Sequence, residues 1–554
     1  MGEMNRKVKN VKRRIGSRLP FYGILYLVVS CLTAMSLPEK ERPRSQSRII
    51  MLHTDVLTYD QYRHPGVQIL MGNVVLKHDS VLMYCDSACF YEASNSFDAF
   101  HNVRMVQGDT LTLTGDVLYY SGLEQLARVR NNVVLTHRNS VLYTDSLDYD
   151  RLYDLGYFFE GGRLVDGENV LTSEWGEYSP VTREAVFNYN VRLTNPKFVL
   201  VSDTLHYNTQ SGMAHIVGPS NIDNGDNHIY SELGFYDTRA DKAYLLDRSI
   251  LTNNGKRLVG DSVFYNSELG IGEAFDNVVY TDDVNRNALT GNYCFYNEKT
   301  GYALATDSAV AIDYSQKDTM YMHADSMKLY TFHIDTDSMY REVRAYNKVR
   351  AYRTDMQAVC DSLVFNSKDS CMTLYKDPII WNQGQQLLGE EIRVYMNDST
   401  LDSIHVVNQA LMVERVDSVH YNQIAGREMK SYFRNGDIDW TWVIGNVLVD
   451  YFVLDDDSLI TMMDYTETSE LKLYMVERKM DHIWMPAAVG TFYPLGLIPS
   501  EKLYLPTFAW FDYIRPTDKD DIFNWRPKQA GTELKTTVRR QPPLQKLDNI
   551  KKKK

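Results

Sequence analysis

An elongated all-β stack, an open β-jellyroll or solenoid of about thirteen ~29-residue repeats, is the fold this 554-residue sequence predicts. Three observations carry that expectation. A short pattern, acid-x-apolar-x-aromatic, recurs at near-constant spacing along the chain. The 39 Tyr, 20 Phe and 7 Trp favour strands over helices. No stretch of the body repeats its apolar residues at the helical period of 3.6. With 44% hydrophobic and 24% charged residues the chain can bury a sizeable core, so it is neither disordered nor collagen-like. A formal charge of -13 excludes a general nucleic-acid binder, which needs a positive surface to displace counterions from phosphates.

The N-terminus reads as an export signal. Arg6, Lys7, Lys9, Lys12, Arg13, Arg14 and Arg18 stand against Glu3 alone and run into the apolar stretch Phe21 to Met35. That stretch is shorter than the ~20 residues needed to span a bilayer, so residues 1–36 are expected to be a cleaved signal, cut after Ser36 with Ala34 two residues earlier. The competing reading is a lipoprotein signal to residue 30: Val28-Val29-Ser30-Cys31 resembles a lipobox, in which Cys31 would carry lipid. Without residues 1–30 the formal charge falls from -13 to -19.

The repeat occupies residues 48–450. Its first element reads Asp55-Val-Leu-Thr-Tyr59, Asp86-Ser-Ala-Cys-Phe90, Asp116-Val-Leu-Tyr-Tyr120 and Asp145-Ser-Leu-Asp-Tyr149, and it continues through Glu174, Asp203, Glu232 and Asp261. Looser copies begin at Asn292, Asp325, Asp361, Glu391 and Glu428, and five consecutive spacings are 29 residues. A second element follows each first one. It has a small residue such as Ala99, Ala127 or Ala185, then a turn residue and a β-branched run, as in Asn73-Val-Val-Leu76 and Asn132-Val-Val-Leu135. Each unit is therefore expected to hold at least two short strands separated by turn clusters.

Side chains alternate along a strand, so positions two and four after each acid share one face. These are Leu57/Tyr59, Leu118/Tyr120, Leu147/Tyr149, Leu205/Tyr207, Val263/Tyr265 and Leu363/Phe365. A 29-residue unit cannot bury such a face alone, and stacking neighbours makes one continuous apolar interior. Periodicity does not separate a packed core from two sheets splayed around a groove. Tyrosine, a ring with a polar tip, suits the rim between apolar interior and water.

The recurrent acid invites a calcium ladder. Like charges one rung apart repel, however, and the Gly-rich, closely spaced Asp pattern of calcium-binding β-rolls is missing, so a solvated acid is the expectation. Cys85, Cys89, Cys294, Cys360 and Cys371 contain no CxxC pair and read as free thiols; no metal site is expected. No HExxH, GxSxG, P-loop or GxGxxG occurs, and no catalytic constellation or cofactor site is expected.

The phrasing Gly115-Asp-Val-Leu-Tyr-Tyr120 followed by Asn131-Asn-Val-Val-Leu135 resembles the OstA-like / LptA family of lipopolysaccharide-transport proteins, with its clearest copies between residues 86 and 280. The resemblance implies a periplasmic, non-enzymatic protein with an open twisted β-jellyroll. Lipopolysaccharide or lipid A would be held by its acyl chains inside the fold, along the Leu/Tyr positions named above. It also implies inner- and outer-membrane transport-complex components as partners, with head-to-tail self-association left open. A structural or adhesive β-solenoid with a packed interior is the rival reading, and a carbohydrate-active β-helix enzyme a second one. Under the groove reading, a charge at Leu118 or Leu147 blocks ligand passage more than one at Ser146.

One added strand per unit gives a stack of about 60 Å at ~4.8 Å per strand. Residues 451–527 become aromatic and Pro-rich, as in Phe508-Ala-Trp-Phe-Asp-Tyr513, and are expected to cap an open sheet edge or dock a partner. The segment after residue 440 is too short for a sizeable β-barrel. Residues 528–554, ending Lys551 to Lys554, read as a disordered basic tail.

Overall fold

The computed structural model describes residues 47–532 except 226, 335, 383, 398, 399, 435 and 478. The export segment with Cys31, and the chain beyond 532, lie outside the described residues. Within them the fold is 36 antiparallel strands and three short 3-10 turns, with no α-helix.

The strands follow from alternation. In Leu111–Ser121 the side chains of Leu111, Leu113, Leu118 and Tyr120 are buried while Thr112, Thr114 and Tyr119 face outward. This strand pairs antiparallel with Ser96–Gln107 on one side and Leu126–His137 on the other. The chain continues as a meander in which each strand lies between its predecessor and its successor. In places one long strand is replaced by two short ones. Leu155–Phe158 and Gly162–Asp166 pair with the two halves of Ser140–Asp150. Likewise Cys371–Tyr375 and Ile379–Asn382 share Met356–Asn366.

The Asn-Val segments are not turns between strands, which corrects the sequence-based expectation. They lie in the middle of continuous strands of 11 or 12 residues, at corners where the ladder register shifts. At most of these corners two successive residues adopt left-handed backbone, as in His101–Asn102 (φ 63° and 48°), Asn131–Asn132 (61° and 49°) and Asp276–Asn277 (54° and 50°). Asparagine tolerates this region better than branched residues, which explains its recurrence at the 29-residue period. Buried positions switch parity across Asp116, from Leu111, Leu113 and Gly115 to Leu118 and Tyr120. Both halves of the bent strand thus turn their apolar faces inward.

The repeated acid closes several of these corners. Asn102 Nδ2 donates to Asp86 at 2.8 Å, Asn132 to Asp116 at 2.7 Å, Asn277 to Asp261 at 2.6 Å and Asn73 to Asp55 at 2.9 Å. In later units a cation takes the amide's place, as Lys376 does with Asp361 at 2.8 Å. The acids are therefore corner acceptors. Asn132→Ala is expected to cost about 1–2 kcal/mol, from a left-handed alanine and an unpaired Asp116. Asn132→Gly restores the backbone but not the bond and should cost less; urea unfolding midpoints of the three proteins check the order.

Bending stacks the strand halves into two sheets facing one another. The first contains segments such as 103–107, 111–115 and 133–137, and the second 96–100, 117–121 and 126–130. Corners run down one side, and the opposite side is a mouth where strand ends of the two sheets meet. Each ~29-residue unit contributes two strands to each sheet, not one, so thirteen units extend on the order of 120 Å at ~4.8 Å per strand.

Candidate functional site

The interior between the sheets has two sections of different character. From Leu70 to Leu245 it is filled: Phe97, Phe158, Phe187, Leu118, Leu147 and Leu205 are completely buried in one cluster. Here the mouth is zipped by the tyrosines. The Tyr120 hydroxyl meets His78 Nδ1 at 2.6 Å, and Tyr178 meets His137 Nδ1 at 2.7 Å. Tyr207 donates to Asp166 at 2.8 Å and accepts from Asn169 at 2.9 Å. Asp154 joins Tyr149 on one sheet to Gln107 on the other, at 3.2 and 2.8 Å.

Each rung spans the two sheets, because its partners sit at opposite ends of bent strands. Burial pushes the His78 and His137 imidazoles below their ordinary value, so both are neutral at pH 7. Burial also raises the Tyr149 and Tyr207 phenols, reinforced by the neighbouring Asp154 and Asp166. These tyrosines stay protonated and act as hydrogen-bond donors.

The last cross-sheet rung among the described residues is the bond from Asn169 to Thr238, at 2.9 Å. Tyr236 bonds Asp241 in its own hairpin, at 2.5 Å. From Leu251 onward the inward positions toward the mouth are only half-buried, including Leu251, Leu258, Tyr280, Leu289, Leu329 and Phe365. Tyr296 is 48% exposed. Positions by the corners stay covered, and there the residues are small: Ala305, Ala309, Ala324 and Ala345. An inner face that is apolar, alanine-floored at the corner and wet at the mouth is an open trough. Burial lifts Tyr280 to about 12, while the Arg341 charge acts in the opposite sense on it and on Tyr296. Arg341 therefore stands close enough to the mouth to influence both sheets.

The expected lining residues fall into three groups. Leu118, Tyr120, Leu147, Tyr149, Leu205 and Tyr207 are buried in the zipped section. Val263 and Leu363 are buried and Tyr265 and Phe365 half-buried in the open section. Leu57 and Tyr59 are 46% and 52% exposed, because among the described residues Val56–Tyr59 is an end strand paired only with Gln68–His78. Ser146 is not on a wet face: it is fully buried at a corner, with no hydrogen-bond partner for its hydroxyl among the described residues. It cannot serve as the neutral control for Leu147.

Sequence reasoning singled out Leu363 and Phe365 but missed the open section as such. The available signal was the shift at inward positions from Leu and Phe to alanine between residues 303 and 358.

Among solved structures, one similar chain is LptH from Pseudomonas aeruginosa, described as the LptA-homologous periplasmic component of the lipopolysaccharide transport device. It is 14% identical, covers 22% of this chain and 81% of its own, and superposes with a TM-score of 0.18. No curated protein matches the chain. The family model for OstA-like proteins matches residues 46–203, the stretch that contains the first corner acids and the tyrosine zip. Over that stretch, residues 46–203, the chain is similar to the OstA-like proteins.

Proposed function

We propose that the protein carries lipopolysaccharide across the periplasm, holding lipid A acyl chains in the trough that begins near Leu251. The OstA-like similarity supports a place in lipopolysaccharide transport and a transport protein rather than an enzyme. The observation that carries the finer reading is the half-exposed apolar inner face between Leu251 and Phe365. An acyl chain laid there leaves water at ~0.8 kcal/mol per methylene, and the alanine floor leaves room for it. Arg341 at the mouth suits a phosphorylated headgroup outside the trough. The zipped section, already filled by its own side chains, acts in this reading as a rigid spacer. It also favours a second reading, a structural solenoid with no ligand.

Native mass spectrometry of the full chain purified from a Gram-negative envelope separates the two. A bound mass that organic extraction identifies as lipid A, and that Leu258→Asp/Leu289→Asp removes, is the expected result. Protein that is lipid-free and takes up no added lipopolysaccharide would leave the structural solenoid.

A further inference from the structure

After the strand Val489–Pro494 the chain turns back and lies across the outside of the first sheet. This strap, residues 499–528, crosses strands through a row of buried glutamines. Gln423 accepts from Leu505 N at 2.9 Å and donates to Leu503 O at 3.1 Å. Gln386 repeats the clamp with Phe511 N at 2.7 Å and Ala509 O at 2.8 Å. Gln357 accepts from Arg515 Nε at 2.7 Å, and the Arg350 guanidinium donates to Ile522 O. Between these bonds Leu505, Phe511 and Ile514 pack on Ile379, Trp381 and Val413. Phe523 reaches His323, with ring centroids 4.9 Å apart.

The strands under the strap are those whose inner faces line the open trough: Ala351, Ala358, Leu387, Met412 and Ile424 point inward from them and are half-buried. In the zipped section the tyrosine rungs fix the distance between the sheets. Such rungs are absent here among the described residues, and two apolar faces with water between them are driven to close. A segment bonded to side chains on successive strands, from outside, resists the change of sheet curvature that closing requires.

We propose that the strap is a brace which holds the two sheets apart over the open section and sets the width available to an acyl chain. This rests on the reading of the trough as the lipid site. The test uses the full chain with a protease site inserted at Gly496, and Cys89, Cys294 and Cys371 replaced by Ser. Spin labels at Thr354→Cys and Asp369→Cys mark the two lips, and trypsin cleavage at Lys502, Arg515 or Lys528 reports release of the strap.

Cutting is expected to shorten and broaden the label distance and to weaken uptake of lipid A by roughly tenfold or more, as if two methylenes lost their contacts. Should the cut protein precipitate, Gln386→Ala/Gln423→Ala loosens the strap without cleavage, and the same distance is read. A released strap with an unchanged distance overturns the brace. Lips that close on release in a protein that never binds lipid A keep the brace and remove the lipid reading.

Discussion

Leu147→Asp is expected to cost at least ~4 kcal/mol and to unfold the zipped section, whereas Leu258→Asp leaves the chain folded and removes lipid uptake. Leu147 is completely buried between the sheets, below the Tyr149 rung. Truncating a buried leucine costs about 2–5 kcal/mol, and placing a carboxylate there adds the penalty of an unpaired buried charge. Set against a stability of 5–15 kcal/mol for a typical domain, that is a large fraction. Leu258 is half-buried on an inward face that already meets water, so its carboxylate stays solvated. What changes there is the trough, which would have to desolvate the charge each time an acyl chain passes. Circular dichroism on heating, together with lipid A capture, checks both variants. Equal loss of structure in the two would mean that the open section is packed like the zipped one.

Asp450→Asn should stabilise the C-terminal third by about 2 kcal/mol at pH 8 and flatten its pH dependence. Asp450 is fully buried beneath the strap, and neither carboxylate oxygen accepts a hydrogen bond from a described residue. It sits between Gln423 and Tyr465 on the neighbouring strands. Burial pushes its pKa up to about 7; Asp464 adds to this and Lys502 on the strap opposes it. A carboxyl whose folded value lies above its unfolded value near 3.8 favours the fold in its neutral form. Stability from this group is therefore fully present at acid pH. It is lost as pH rises from about 4 to 7, and above that the charged form carries the whole cost. The difference between about 7 in the fold and 3.8 outside it corresponds to ~4 kcal/mol, reduced by the unpaired amide that asparagine would bring. Urea unfolding at pH 5 and pH 8, followed by tryptophan fluorescence, reads the difference. A variant that keeps the full pH dependence would assign it to another group.

The legibility of this fold in its sequence depends on the range of the interactions concerned. Leu118/Tyr120 and Leu147/Tyr149 announce their inward face, because alternation is a property of three adjacent residues. Tyrosine as the rim residue is legible for the same reason, although its cross-sheet partners, about 41 residues away, are not. Asn102 and Asn132 mark left-handed backbone, but residue type does not say whether such a residue ends a strand or bends it. The answer lies in the acid 16 residues earlier, Asp86 or Asp116, whose carboxylate rewards the bend. Leu57 and Tyr59 obey the pattern yet lie exposed, since a pattern does not say which copy stands at the end of the stack. The run Ile379-Ile-Trp381, apolar on both faces, shows that something covers the outside of the sheet. That the cover is the Pro-rich segment around Phe511, 125 residues beyond Gln386, follows only from tertiary structure.

The meander and the strap also differ in when they can form during synthesis. A hairpin such as 111–137 closes as soon as its own residues are available, and each new unit adds to a finished edge, so the stack assembles in step with the emerging chain. The strap cannot: Leu505 must find Gln423, 82 residues back, and Ile522 must find Arg350, 172 residues back. Until the last ~30 described residues are free, the face that carries Ile379, Trp381 and Val413 stays bare. The interval between completing the strands and docking the strap is thus the period in which nascent protein is most prone to stick to its neighbours, and in which a holding chaperone has an apolar surface to grip.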